Sequence, residues 1–279
     1  MAIVSISRGS NSHGAEVAEK AAHLLGYRCL AREAVLEASG LYNIPADELL
    51  QAIEQPPSIL ERSLDGKARY LTTIRAALLG QFRADNVVYH GFGGHYFVRD
   101  IKHALKVRIL AELSDRVATV VERDRIPQRE ARQRLLKMDK ARRRWGLHLY
   151  GADPEDPSLY DIILHVGKMG TGGAAEVIAN LASHGTFRST EASRAKLRNL
   201  ALAASMRAAL VDLELDLTIT DITANDGVVR ISFHEPSFSR ASPSSNFREQ
   251  YLECLEQRVH ERTHTLPDLK QIKLRHRDE

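Results

Sequence analysis

The stretch Ile3–Glu16, IVSISRGSNSHGAE, decides the fold. It opens on the β-branched Ile3, Val4 and Ile6, passes through the loop Arg8, Gly9, Ser10, Asn11, Ser12, His13 and Gly14, and from Ala15 to Leu25 takes up the apolar spacing of a helix. A strand, a small-residue loop and a helix are therefore predicted. In such a unit the loop amides and the helix N-terminus point the same way, which makes the turn a preformed anion site suited to phosphate.

Gly9 and Gly14 have the spacing of the first two glycines of the phosphate-binding loop G-x-x-x-x-G-K-[ST], but the next positions are Ala15 and Glu16. The lysine and the magnesium-binding hydroxyl are both missing. Without lysine the loop lacks its point charge on the transferring phosphoryl, and Glu16 repels phosphate unless a metal or an arginine intervenes. From these residues alone, a phosphate cradle and a plain tight turn both stand.

Composition sets the frame. A chain of 279 residues is comfortable for two domains, and a net charge of +3 gives no bulk affinity for nucleic acid or membrane. Cys29 and Cys254 lie far apart with no His or Cys at ligand spacing, so neither a disulfide framework nor a zinc site is expected. The expected setting is a reducing cytoplasm, with no leader at the N-terminus and no apolar run long enough to span a bilayer.

Downstream, Gly26 to Leu30 reads as a short strand. Helical stretches follow from about Arg32 to Ala38 and from Ile44, with Pro56 and Pro57 as a break before Ile59 to Leu79. That insertion reads either as a solvated amphipathic layer or as a pocket for an acceptor substrate. Asn86 to His90 and Lys106 to Leu110 are further strands; the first runs into the glycine turn Gly91–Gly94. Ser114 is the expected cap of a helix whose Arg116 and Arg123, seven positions apart, share a face. Ile162 to Val166 is the last strand of this part and Gly172 to Ala182 its closing helix. Alternating strands and helices imply a mostly parallel sheet with helices on both faces, its ligand at the C-terminal strand edges.

The strongest charge feature is Glu122–Arg144, with ten Lys or Arg against four acids, a net of +6. It reads as a solvated helical face or as a lid whose arginines close over phosphates. Beside a phosphate-type loop the lid reading is preferred. Trp145, His148 and Tyr150 follow, available for stacking on a base or for a core. His13 in the loop reads either as a hydrogen-bond donor or as a solvent-facing residue; His90 and His95 have no metal partner at helix or hairpin spacing, so no metal ligands are assigned.

The pattern Ile6-Ser7-Arg8, the small-residue loop, Gly14-x-Glu16, Arg32-Glu33, Gly91-x-Gly93, Asp139-Lys140-x-Arg142 and Asp156-Pro157-x-x-Tyr160-Asp161 resembles the cytidylate kinase-like family over residues 1–183. The resemblance implies a P-loop nucleoside monophosphate kinase-like α/β domain, ATP as donor, Mg2+, and a nucleoside monophosphate or similar small phosphorylated acceptor. It places Arg8, Gly9, Ser10, Asn11, Ser12, His13, Gly14 and Glu16 at the donor phosphates and metal, and Lys140, Arg142 and Arg144 at the transferring phosphoryl group. Asn11, His13, Ala15, Ala31 and Phe92 depart from the family's glycines and charges. These departures leave open a second function, a nucleotide or anion sensor with weak or no catalysis.

After a polar linker, residues 184–192, the pattern changes. An Ala- and Leu-rich helix from Ala195 to Leu210 precedes two alternating strands, Leu217–Ala224 and Val228–Phe233, joined at Asn225-Asp226-Gly227 as a hairpin. A Ser/Pro-rich insertion from Pro236 to Ser245, a helix from Phe247 to His260 and a strand from Gln271 to His276 complete an αββαβ order. Residues 193–279 thereby resemble the BON domain, a small α+β module. That resemblance implies a protein or phospholipid partner; the plainer reading is a stabilising or dimerising module. No nucleic-acid partner is expected.

Overall fold

A computed structural model describes residues 2–31, 40, 64–91, 93–211, 218–234 and 245–276. The first strand, β1 (Ile3–Arg8), is followed by α1 (Gly14–Leu25), β2 (Arg28–Leu30), α2 (Leu64–Phe82), β3 (Val87–Tyr89) and the short α3 (Gly94–Phe97). β4 (Ala104–Leu110), α4 (Leu113–Asp124), α5 (Gln128–Tyr150), β5 (Ile162–His165) and α6 (Val166–Ser183) complete the first part. The helices expected within 32–63, Phe92 and the Ser/Pro-rich insertion lie outside the described residues.

The five strands are all parallel, in the order β2-β3-β1-β4-β5. β1 is buried on both faces, as the β-branched Ile3, Val4 and Ile6 require in a parallel sheet. Ile3 packs on one side with Leu78, Leu79 and Phe82 of α2. Val4 and Ile6 pack on the other with Val17, Ala18 and Ala21 of α1 and Ile178 of α6. Because β3 and β4 flank β1 on opposite sides, the chain reverses its direction of travel across the sheet there. The loop after β1 thus sits at the switch point, where a crevice opens in sheets of this kind.

Element ends follow local chemistry. α5 starts after Pro127, carries Glu130 in its first turn and ends on Gly151 in the left-handed region at φ 62°. Its sequence of Arg, Lys, Gln, Leu and Ala sustains a single 23-residue helix through Trp145 to Tyr150. Ser114 is not the cap of α4. Glu112 holds that position without a side-chain hydrogen bond, and Ser114 Oγ instead lies 3.4 Å from Asp115 Oδ1 inside the first turn. α6 is longer than predicted and is kinked at Gly170, whose φ of 66° and ψ of 177° break the helical run.

The second sheet is small and mixed: β6 (Thr218–Asn225) pairs antiparallel with β7 (Val228–His234), which pairs parallel with β8 (Gln271–His276). Asp226 and Gly227, both at positive φ, form the two-residue turn that Asp-Gly favours. Two helices, α7 (Glu191–Leu210) and α8 (Ser245–Thr263), give the order αββαβ. α7 begins at a Thr190–Ser193 capping box. It serves both cores: Leu197, Ala201, Ala204 and Ala208 join Leu78 and Phe82, whereas Leu202, Met206 and Leu210 join Val229, Ile231 and Phe233.

Candidate functional site

The loop between β1 and α1 is held from three directions. Gly9 N–H donates to the Ile109 carbonyl at 3.3 Å, and buried Ser12 Oγ lies 3.0 Å from Gly9 O and 3.2 Å from Ile109 O. These bonds fix the turn to the end of β4. Asn11 and His13 take positive φ, 55° and 58°, a region that costs a side chain roughly 1–2 kcal/mol and that glycine enters freely. Gly14 is a glycine for a different reason: a Cβ there would lie 2.7 Å from Arg8 Cβ and Cδ, so the Arg8 stem can lie across the start of α1 only without one. The amides of His13, Gly14 and Ala15 take no backbone acceptor among the described residues, as expected of a first helical turn.

Arginines stand where the loop lacks lysine. Arg116 of α4 donates through Nε to Ser10 O at 2.7 Å and through its Nη2 to Asp139 at 2.6 Å. Arg123, one face with Arg116 as predicted, donates to Asn11 Oδ1 at 3.0 Å. Arg142 of α5 donates to Arg8 O at 2.9 Å. Desolvation and the neighbouring guanidinium of Arg8, with Arg116 and Arg108 adding to it and Asp139 opposing, bring Arg142 down to about 10. Asp139 Oδ1 in turn accepts the Ser10 N–H at 3.3 Å. The charged segment is therefore not one helix: it spans the end of α4, the turn at 125–127 and the first part of α5, and α4 and α5 each bond to the loop.

Other predicted residues fall elsewhere. Lys140 and Arg144 are exposed, carry no ion pair among the described residues, and lie on a different face of α5 from Asp139 and Arg142. Glu16 turns to the outside of α1, where Lys20 Nζ and Thr171 Oγ1 each donate to Oε1 at 2.8 Å and hold its carboxyl below the usual range. Lys20 is thereby directed to α6 rather than to Gly14. His13 Nε2 lies 3.5 Å from Thr119 Oγ1. Trp145 is buried, so it is a core residue.

A polar cluster beneath the loop was not foreseen. Tyr160 Oη donates to Pro154 O at 2.8 Å, accepts from Arg108 at 3.2 Å, and lies 3.2 Å from Ser7 Oγ and 3.4 Å from His95 Nε2. His95 is buried between Tyr96 and Tyr160, with ring centroids 3.9 and 5.0 Å away, and burial pulls it down to about 3. Tyr150, at the end of α5, stacks on Tyr96 at 4.2 Å. The signal for Arg108 was present in the sequence: a cation inside an apolar strand is costly unless something uses it.

The donor set fits phosphate. It offers helix-start amides, three guanidiniums, and a buried Ser10 Oγ that has no hydrogen-bond partner among the described residues. It offers magnesium no ready carboxylate set: no three His, Cys, Asp or Glu among the described residues are grouped to hold a metal.

The chain is 30% identical over 99 residues to a cytidylate kinase of Thermococcus kodakarensis, covering 36% of this chain and 50% of that one. It is 36% identical over 64 residues to a cytidylate kinase of Methanopyrus kandleri, covering 23% and 33%. The match thus spans half or less of these curated relatives. An uncharacterized protein from Eubacterium ventriosum shares the fold, with a TM-score of 0.51 at 19% identity over 65% of this chain and 97% of that one. The family model for the cytidylate kinase-like family matches residues 3–168. That match covers more than half of the sequence, and the chain belongs to the cytidylate kinase-like family.

Proposed function

We propose that the protein binds the phosphates of ATP at Arg8–Gly14 and transfers a phosphoryl group to a small acceptor, a nucleoside monophosphate such as CMP. The observation that carries this reading is the convergence of Arg116 and Arg142 on the carbonyls of Ser10 and Arg8, either side of a loop whose lysine is replaced. Phosphoryl transfer depends almost wholly on positioning and charge neutralisation, so guanidinium groups at the loop can serve where the lysine is gone. His13, Gly14 and Ala15 would supply amides and Ser10 its hydroxyl; Arg8, Arg116 and Arg142 would neutralise charge. Magnesium would enter with the nucleotide, and we assign it no protein ligand. ATP, the ion and the acceptor class come from the family.

A sensor is the second reading. It is favoured by the missing lysine and by α7, which lies in the cores of both sheets and so links the first to the small αββαβ module. In this reading the module, BON-like in its element order, would pass the state of the loop to a protein or phospholipid partner. No helix among the described residues is long and apolar enough to cross a membrane; a cytoplasmic setting is part of the proposal.

The test is ADP release from ATP and CMP with magnesium. The kinase reading predicts turnover that falls about 10²-fold in Arg142→Ala, more than nucleotide binding weakens, whereas Lys140→Ala and Arg144→Ala lose no more than about a few-fold. Equal turnover by Arg142→Ala would remove that residue from the chemistry, and nucleotide binding without ADP release would favour the sensor.

A further inference from the structure

We infer that Asp139 is a specificity-determining residue, an internal counter-ion on the loop that selects highly charged phosphates over less charged anions. The inference rests on the phosphate-site reading above.

The Asp139 carboxylate occupies the kinds of donor that a phosphate oxygen would take. One oxygen accepts the Ser10 amide at 3.3 Å and the other accepts Arg116 at 2.6 Å, with side chains only 28% and 12% exposed. Arg142, three residues along the same helix, is bonded to Arg8 O, so α5 rests on the loop through an acid and a base together. Around Arg142 the guanidiniums of Arg8, Arg116 and Arg108 act as like charges and the Asp139 carboxylate opposes them, while Asp139 also holds Arg116. The group is strongly positive even with Asp139 in place.

An incoming anion must displace Asp139 from Ser10 and Arg116 before it gains those donors. An anion no more charged than the carboxylate exchanges like for like and gains little. A polyphosphate brings more charge than it displaces, so it satisfies these donors and the remaining guanidiniums at once. Ser10 Oγ, buried and without a partner among the described residues, lies beside the contested amide and gives the arriving phosphate a contact that Asp139 leaves unused. Asp139 thereby sets a threshold of charge for entry.

The experiment is calorimetric titration of the full chain with inorganic phosphate and with pyrophosphate, in wild type, Asp139→Asn and Asp139→Glu. Charge-assisted hydrogen bonds of this kind predict that Asp139→Asn binds inorganic phosphate about tenfold tighter and narrows the preference for pyrophosphate. Asp139→Glu is expected to retain that preference. Should Asp139→Asn fail to fold by thermal melt, Asp139→Ser carries the same expectation. Phosphate affinity unchanged or weakened in the uncharged variant, with pyrophosphate still bound by wild type, would overturn this inference alone. No binding of either anion by any form would overturn the phosphate site as well.

Discussion

Asp139 and Arg142 stand three residues apart on α5 and meet the loop together, while Lys140 and Arg144 face away. Helical spacing already separates these pairs, so the division was legible once α5 was known to be one helix; which pair faced the loop was not, because that depends on how α5 packs. His95 shows a similar limit. Its position beside Gly94 gives no hint of burial, yet in the fold it is 5% exposed between two tyrosine rings. The folded pKa of about 3 lies below the ordinary 6.5, so the unfolded chain binds a proton that the folded chain refuses. Its contribution to stability is complete above about pH 6.5 and declines as the pH falls toward 3. Denaturant titrations from pH 7 to 4.5 should therefore show stability falling by up to about 1.4 kcal/mol per pH unit from this group, with a shallower slope in His95→Gln. An identical slope in the variant would show that His95 does not make that contribution.

At the scale of the element, α5 depends on one small residue. A Cβ on Gly146 would lie 2.6 Å from Pro154 Cδ, 2.7 Å from Tyr96 Oη and 2.9 Å from Ala152 O, so the helix can approach the segment after it only with glycine here. Alanine is the better helix former by about 1 kcal/mol. Overpacking opposes that gain, and Gly146→Ala is expected to lose about 1–3 kcal/mol in chemical denaturation. A stabilised variant would mean that α5 is free to shift. The sequence offered this helix only as a charged helical face. It did not announce this contact, which joins residues that only the folded chain brings together. Ser114 shows local chemistry misleading: a serine at the second position of the helix has the right type for a cap and the wrong place for one.

For the whole molecule, the parallel sheet was legible in β1, whose Ile3, Val4 and Ile6 allow no exposed face, and the hairpin in Asp226-Gly227. The sharing of α7 between two cores was less so, because an Ala- and Leu-rich helix does not reveal that it is covered on two sides. Leu197, 2% exposed against Leu78, Leu79 and Phe82, is where this sharing can be measured. Leu197→Ala should cost about 2–5 kcal/mol, the range for a buried leucine, and should lower the melting of the first sheet although it lies in the helix that begins the second unit. A loss below about 0.5 kcal/mol would mean that α7 is not integral to that core. Whether the loop is a phosphate site is read by titrating the full chain with ATP and magnesium at two salt concentrations. The arginine-lined loop predicts saturable binding that weakens with salt and is competed by pyrophosphate. Absence of binding to ATP, ADP, CMP and AMP alike would contradict the account and leave the loop as a feature of the fold alone.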